Sequence, residues 1–325
     1  GLWELLQADA EPISEIRVAD GPSQLFLHYD HREVGEGPLG WIVENAHIRR
    51  AFAQAVASSD VNVFENTALA DARFEARSTT LKLADGRTVD AMLAIAADGR
   101  QSALRALAGI DVVRWSYPQT GIVCAVTHEA PHHGIAHEHF LPSGPFAILP
   151  MTRNRSSIVW TERNDLAPAI MELDDDAFAA ELKRRFGDFL GDVRVGPQRW
   201  AYPLSVVHAR DYVAPRVAAV GDAAHAIHPI AGQGFNLGLR DVAALAEIIV
   251  DRLRLGLDPG DTETLMRYQK WRKPDNMMMI AATDSLNRLF SNDVAPVRMA
   301  RDTGLALVNQ LPPLKRVLMR HAMGL

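Results

Sequence analysis

The short apolar run Val217-Ala218-Ala219-Val220, followed at once by Gly221-Asp222, constrains this chain more than any other feature. Such a run, entered from Arg216, suits a strand buried in a parallel sheet. It delivers the next residues to the strand's carboxyl end, where open α/β sheets bind ligands. Gly221 lets a ligand approach the backbone closely. Asp222 is acceptor-only at neutral pH and suits hydroxyl groups. Small residues keep the turn tight. Pro229 and the loop Gly232-Gln233-Gly234 then lead into a long helix, whose first backbone N–H groups are unpaired and suit an anionic group. A lone Gly-Asp or Gly-x-Gly is common in strand–turn–helix units that bind nothing. The sixteen continuous residues Gly221 to Asn236 are far more specific.

The rest of the chain reads as mixed α/β. Leu25 to Tyr29 is expected as a strand, Asn45 to Ala57 as a helix and Val61 to Phe64 as a short strand. Thr80 to Ala84 turns at Asp85-Gly86 and continues through Val89 into an apolar strand from Ala91 to Ala97. Four short strands follow: Gly121 to Thr127, Ala136 to Leu141, Phe146 to Pro150 and Ser157 to Thr161. They predict an antiparallel sheet with one solvated face. Asp174 to Phe186 is expected as a helix opened by acidic residues, and Arg199 to Leu204 as a strand. The helix after Gly234 places Val242, Leu245, Ala246, Ile249 and Leu253 on one apolar face. Met277-Met278-Met279 reads as core filler in a later helix.

With 325 residues, 48% hydrophobic and 23% charged, the chain can bury a substantial core. A net charge of -6 and a pI near 6.1 supply no basic field for nucleic acid. Cys124 is the single cysteine, so no intrachain disulfide forms, and its apolar setting suggests a buried thiol in a reducing compartment. No apolar run is long enough to span a bilayer, and the N-terminus lacks a secretory pattern, so a soluble or peripheral protein is expected. The histidines His132, His133, His137 and His139 show no regular ligand spacing, and no metal site is expected. His225 and His228 are read as packing residues in preference to proton carriers.

The segment Gly221 to Asp241, with Gly232-Gln233-Gly234-Phe235-Asn236-Leu237-Gly238 and Arg240-Asp241, resembles the signature of the flavin monooxygenases of the para-hydroxybenzoate hydroxylase superfamily. Within it the closest resemblance is to the ubiquinone-biosynthesis hydroxylases that act on 2-polyprenylphenols. Asp98-Gly99-Arg100 is similar to the family's Asp-Gly motif near the flavin pyrophosphate, which is linked to flavin and reduced nicotinamide. Val43-Glu44-Asn45 resembles the stretch that sets an amide, here Asn45, against the flavin. Trp200 to Leu204 resembles the strand preceding the Gly-Asp motif.

The resemblance implies a Rossmann-type FAD-binding domain of the para-hydroxybenzoate hydroxylase kind, an antiparallel-sheet substrate domain and C-terminal helices. The expected division is 1–110 and 206–290 for the FAD-binding domain, 111–205 for the substrate sheet and 291–325 for the terminal helices. Asn45, Asp98, Gly99, Gly221, Asp222, Pro229, Gly232, Gln233, Gly234, Phe235 and Asn236 become the expected cofactor contacts. In that setting Asp222 meets ribityl hydroxyls, and the helix N-terminus meets the N1/O2 edge of the isoalloxazine ring. The chemistry is the flavin's: NAD(P)H reduces FAD, O2 supplies the oxygen, and a phenol ring receives it, so no protein nucleophile is nominated.

The family also begins with a strand, a Gly-x-Gly-x-x-Gly turn and an acidic residue for the adenosine ribose, none of which occurs in this chain. Gly1 to Leu6 resembles a point after that unit, so the N-terminal part of the FAD-binding domain is expected to be incomplete and FAD binding by this chain poor or absent. Three functions stand open: a polyprenyl phenol hydroxylase of ubiquinone synthesis, a hydroxylase of another aromatic compound, and a non-catalytic remnant that binds a quinone precursor or a partner protein. Residues 296–325 hold Arg298, Arg301, Lys315, Arg316 and Arg320 against Asp302, and Leu314, Val317 and Leu318 form an apolar helix face. This suggests either a peripheral contact with the inner membrane from the cytoplasm or a solvated basic face on a packed helix, with other ubiquinone-synthesis proteins as further partners.

Overall fold

The computed structural model describes residues 1–21, 26–292, 301, 303, 304 and 307–323. The chain divides into two compact units. One contains residues 1–62, 117–204 and 287–325, and the other 63–116 and 205–286. Residues 1–62 group with the antiparallel sheet, because their strand Glu15–Asp20 pairs in parallel with Ile135–Leu141 and, on its other edge, antiparallel with Phe26–Asp30.

In this first unit the large sheet runs in the order Val193–Ala209, Val112–His128, Arg155–Arg163, Gly144–Met151, Ile135–Leu141, Glu15–Asp20 and Phe26–Asp30. Alternation along each strand divides the side chains between two faces. On one face Ile122, Phe146, Ile158 and Trp160 pack against Phe178, Leu182 and Phe186 of the helix Asp175–Phe186. Asp174 caps that helix by accepting from the Ala177 N–H at 2.8 Å. Arg185 lies 4.2 Å from the Trp160 ring centroid and pairs with the buried Glu162. The expectation of a solvated face is too simple. The central strand Gly144–Met151 is buried at seven of its eight positions, as befits an inner strand paired on both edges.

The second unit is built around a parallel pair, Ala94–Ala96 with Val217–Ala219, in register Ala96 to Ala219. Val217, Ala218 and Ala219 are fully buried. Alanine on these strands lets the helices Ala103–Leu107 and Gly234–Arg254 and the following Leu265 and Tyr268 pack closely. A three-stranded antiparallel sheet, Leu69–Phe74, Thr79–Leu83 and Thr88–Ala91, lies in the same unit.

Four local expectations change. Val61 to Phe64 is not a strand: no strand pairs with it among the described residues, and Val61, Val63 and Phe64 are exposed. The hairpin strand ends at Ala91, and Ala94–Ala96 is a separate strand in the parallel sheet. The buried face of Gly234–Arg254 is Leu237, Asp241, Ala244, Leu245 and Ile248, while Val242, Ala246 and Leu253 are exposed. Of Met277, Met278 and Met279 only Met279 is buried, because Met277 and Met278 lie on the outer side of the helix Thr262–Phe290. Cys124 is buried, and desolvation pushes its thiol up to about 12.

The fully buried Phe178 joins the helix to the sheet through Trp160 at 5.8 Å and Arg199 at 4.4 Å. Replacing it with alanine removes this packing and leaves a cavity. Phe178→Ala is expected to cost about 3–5 kcal/mol, read as a lower denaturant midpoint. A midpoint within error of wild type would show that the helix is not held by this contact.

Candidate functional site

The strand Val217–Ala219 ends in the one-turn helix Gly221–Ala223. Gly221 has φ +56°, and a Cβ on the facing Gly238 would lie 3.3 Å from the Gly221 Cα. The turn and the helix therefore approach backbone to backbone, which needs glycine on both sides. The turn is fixed from below. Asp241 accepts from the Gly221 N–H at 3.1 Å through Oδ2, which also contacts His225 Nε2. Its Oδ1 accepts from Arg272 Nε at 2.9 Å and Asn276 Nδ2 at 3.0 Å. Burial alone would push the Asp241 carboxyl up, but these partners outweigh it and hold the group below the usual range. Arg105 donates to the Ala223 carbonyl at 2.8 Å and closes the turn from the other side. Asp222 itself is exposed and makes no hydrogen bond or ion pair among the described residues.

The second loop begins at His228, whose Nδ1 accepts from the Ile230 N–H at 3.2 Å and fixes the short turn Pro229–Ala231. Gly232 follows at φ +61°, a left-handed position, and Gly234 opens the 21-residue helix Gly234–Arg254. No side chain caps this helix, and nothing lies within 4 Å of a Cβ placed on Gly232 or Gly234. Its first N–H groups, at the positive end of the helix dipole, therefore lack a side-chain cap among the described residues. Phe235 and Asn236 are exposed, and Asn236 Nδ2 donates to Gln233 Oε1 at 3.2 Å.

Asp98 and Gly99 leave the strand Ala94–Ala96 at the same end as Gly221-Asp222 leaves its parallel neighbour. Gly99 has φ +81°. The Asp98 carboxylate is already committed: it accepts from the Ala103 N–H at 2.7 Å, the Leu104 N–H at 3.2 Å and the Ser102 hydroxyl. Burial raises its pKa and these donors more than reverse that. It acts first as the anchor of the helix Ala103–Leu107. Asn45 belongs to the other unit, where it opens the helix Asn45–Ala57 and is exposed beside Glu44, which pairs with Arg155 at 2.9 Å.

The second unit thus gathers Asp98, Gly99, Gly221, Asp222, Pro229 and Gly232 to Asn236 at the ends of two adjacent strands. The sequence names Asp241 only within the signature pair Arg240-Asp241, and it gives no role to Asp241, Arg272, Asn276 or Arg105. A buried carboxylate on an otherwise apolar helix face, and an Arg–Asn pair four residues apart, become readable only when the partners meet. Of the histidines, His132 Nε2 contacts the Met151 and Arg153 carbonyls, and burial pushes His137 down to about 4. Glu15, His28 and Asp30 approach one another, but Arg17 and Arg32 already hold the two carboxylates.

The family model described as "FAD binding domain" matches residues 1–283. The chain is 53% identical over 330 residues to "Ubiquinone hydroxylase UbiL" of Rhodospirillum rubrum, covering all of this chain and 76% of that protein. It is 34% identical over 327 residues to "3-demethoxyubiquinol 3-hydroxylase" of Escherichia coli, covering all of this chain and 83% of that one. Among solved structures, p-nitrophenol 4-monooxygenase PnpA of Pseudomonas putida superposes with a TM-score of 0.79 at 16% identity, over 98% of this chain and 82% of that chain. These likenesses define an FAD-dependent monooxygenase with the para-hydroxybenzoate hydroxylase fold. The chain belongs to the ubiquinone-biosynthesis flavin monooxygenases.

If the Asp241 network is what holds the Gly221 turn, Asp241→Ala strands the Arg272 charge and frees the Gly221 N–H. The expected loss is about 3 kcal/mol, near the lower end for a broken buried pair because Arg272 retains Asp275 at 2.7 Å. Denaturant unfolding of the variant tests this, and an unchanged midpoint would refute it.

Proposed function

We propose that this protein hydroxylates the aromatic ring of a polyprenyl phenol in ubiquinone biosynthesis, using FAD, NAD(P)H and O2. The observation that carries the reading is the uncapped N-terminus of Gly234–Arg254, open above Gly232 and Gly234 and set beside the rigidly held Gly221-Asp222 turn. This arrangement fits a flavin. The Asp222 carboxylate would accept from ribityl hydroxyls, and the first N–H groups of the helix, from Gly234 onward, would receive the N1/O2 edge, while the Gly232 N–H holds the turn by donating to the Pro229 carbonyl at 2.8 Å. Pro229, Gln233, Phe235 and Asn236 shape the loop around it. Gly99 would leave room for the pyrophosphate, and Asp98 holds that turn. Bound FAD supplies the reducing and oxygen-transferring chemistry. The protein's share is to hold the ring, keep water out and stabilise the anion. The named activities of the relatives at 53% and 34% identity support the ubiquinone pathway.

The full-length protein is expected to show flavin absorbance and to restore ubiquinone in a strain lacking the hydroxylase. Gly232→Val forces a β-branched residue into a left-handed position, a strain of about 1–2 kcal/mol, and should weaken FAD roughly tenfold. A colourless full-length protein that takes up no added FAD would favour a binding remnant. A flavoprotein that does not complement would favour another aromatic substrate.

We further propose that the protein works from the cytoplasm as a peripheral protein at the inner membrane. No helix among the described residues is long and apolar enough to cross one. Support comes from the helix Pro312–Met323, where Leu314, Val317 and Leu318 are exposed with Arg316 and Arg320 on the same surface element. The basic character is smaller than the sequence suggests. Lys315 is buried against Glu33 and the His28 carbonyl, and Arg301 against Asp20. Arg298 and Asp302 lie outside the described residues. Liposome flotation with and without residues 312–325 is expected to show weaker partition of the shortened form. Equal partition would end the membrane reading and leave a solvated helix.

A further inference from the structure

The sheet of the first unit has a second face, turned away from the helix Asp175–Phe186. The pairing registers set Leu27, Val18, Glu138, Ala147, Val159 and Val123 side by side in one row across six strands. At ordinary strand spacing the row is roughly 24 Å long. Five of its members are aliphatic and the sixth is a carboxylic acid. The alternation that sends His137 and His139 toward the helix face sends Glu138 to this one. Val18, Val123, Val159 and Glu138 are half-buried, and Leu27 and Ala147 are buried. Glu138 makes no hydrogen bond or ion pair with any described residue. Desolvation pushes its carboxyl up to about 8, so it carries its proton at neutral pH.

A lone carboxyl on an aliphatic surface is a stability liability unless something meets it, and such local conflicts concentrate where a ligand binds. We infer that Glu138 is the polar recognition residue for the substrate, hydrogen-bonding a phenolic hydroxyl of the ring while the aliphatic row receives the polyprenyl tail. This assignment rests on the polyprenyl phenol reading. The protonated acid can accept from the phenol O–H and donate to its oxygen, and an extended row suits an elongated apolar chain. Glu138 is a binding and positioning residue, and no proton transfer is assigned to it.

The test uses the full-length, flavin-loaded protein, calorimetric titration and two probes, 2-geranylphenol and its O-methyl ether. Glu138→Leu is expected to weaken the phenol about tenfold, the scale of one hydrogen bond, and to leave the ether unchanged. Glu138→Gln, which keeps a donor and an acceptor, should restore phenol binding. Without ligand, Glu138→Leu should melt no lower than wild type, because an unmatched carboxyl has been removed from an apolar face. Phenol affinity unchanged in the leucine variant, or phenol and ether weakened alike, would overturn the assignment while leaving the function intact. Wild-type protein that binds neither probe would remove the substrate reading, and this assignment with it.

Discussion

The second unit depends on a carboxylate that water cannot reach. Asp241 is fully buried and satisfies four donors or contacts at once, from Gly221, His225, Arg272 and Asn276. An unpaired charge there would be prohibitive, so its partners are obligatory. They arrive from the strand end, from the loop after it and from the helix Thr262–Phe290. A buried ionic group is weak evidence for stability as such. What it does well is exclude alternative arrangements, because every displaced partner leaves a charge or an N–H unmet. The turn that must present Asp222 is thereby held without using Asp222.

This separation recurs around the loop. Asp98 spends its oxygens on the helix Ala103–Leu107, and His228 spends a ring nitrogen on Ile230. Local polar groups are consumed in fixing backbone. The groups left over, namely the first N–H groups of Gly234–Arg254 and the Asp222 carboxylate, are met by no side chain among the described residues. Preorganisation of this kind means that binding an anion there requires little reordering.

How much was legible follows from where the information lay. The helix Asn45–Ala57 and the buried strand before Gly221 could be read directly, because local periodicity and tertiary role agree. The rotated face of Gly234–Arg254 could not. A periodicity argument discards Asp241 as polar, yet the chain buries it, and the apolar stripe turns with it. Val61 to Phe64 had strand composition but no partner, and pairing decides strands. Lys315 and Arg301 look like surface charge in sequence and are interior ion pairs in the fold. Gly99, Gly221 and Gly232 stand at positive φ, where few other residues are tolerated, and so were recognisable. The side chains that hold them were not, since residues 20 to 35 positions apart meet only in three dimensions.

Sharing a fold with a p-nitrophenol monooxygenase at 16% identity shows how little the scaffold says about the substrate. The two faces of the large sheet explain the division of labour. The helix face is a dense aromatic core, where Trp160, Phe146 and Phe178 admit few replacements. The opposite face is packed in part, where Phe140 stacks on Phe290 at 3.9 Å and Asp20 pairs with Arg301, while Val18, Glu138, Val159 and Val123 stay half-buried and can vary with the ligand. Between His137 and His139, a single residue on that face therefore alters what the sheet presents without disturbing what holds it together. Glu138 occupies that position, and its chemistry is the one departure from an otherwise aliphatic row.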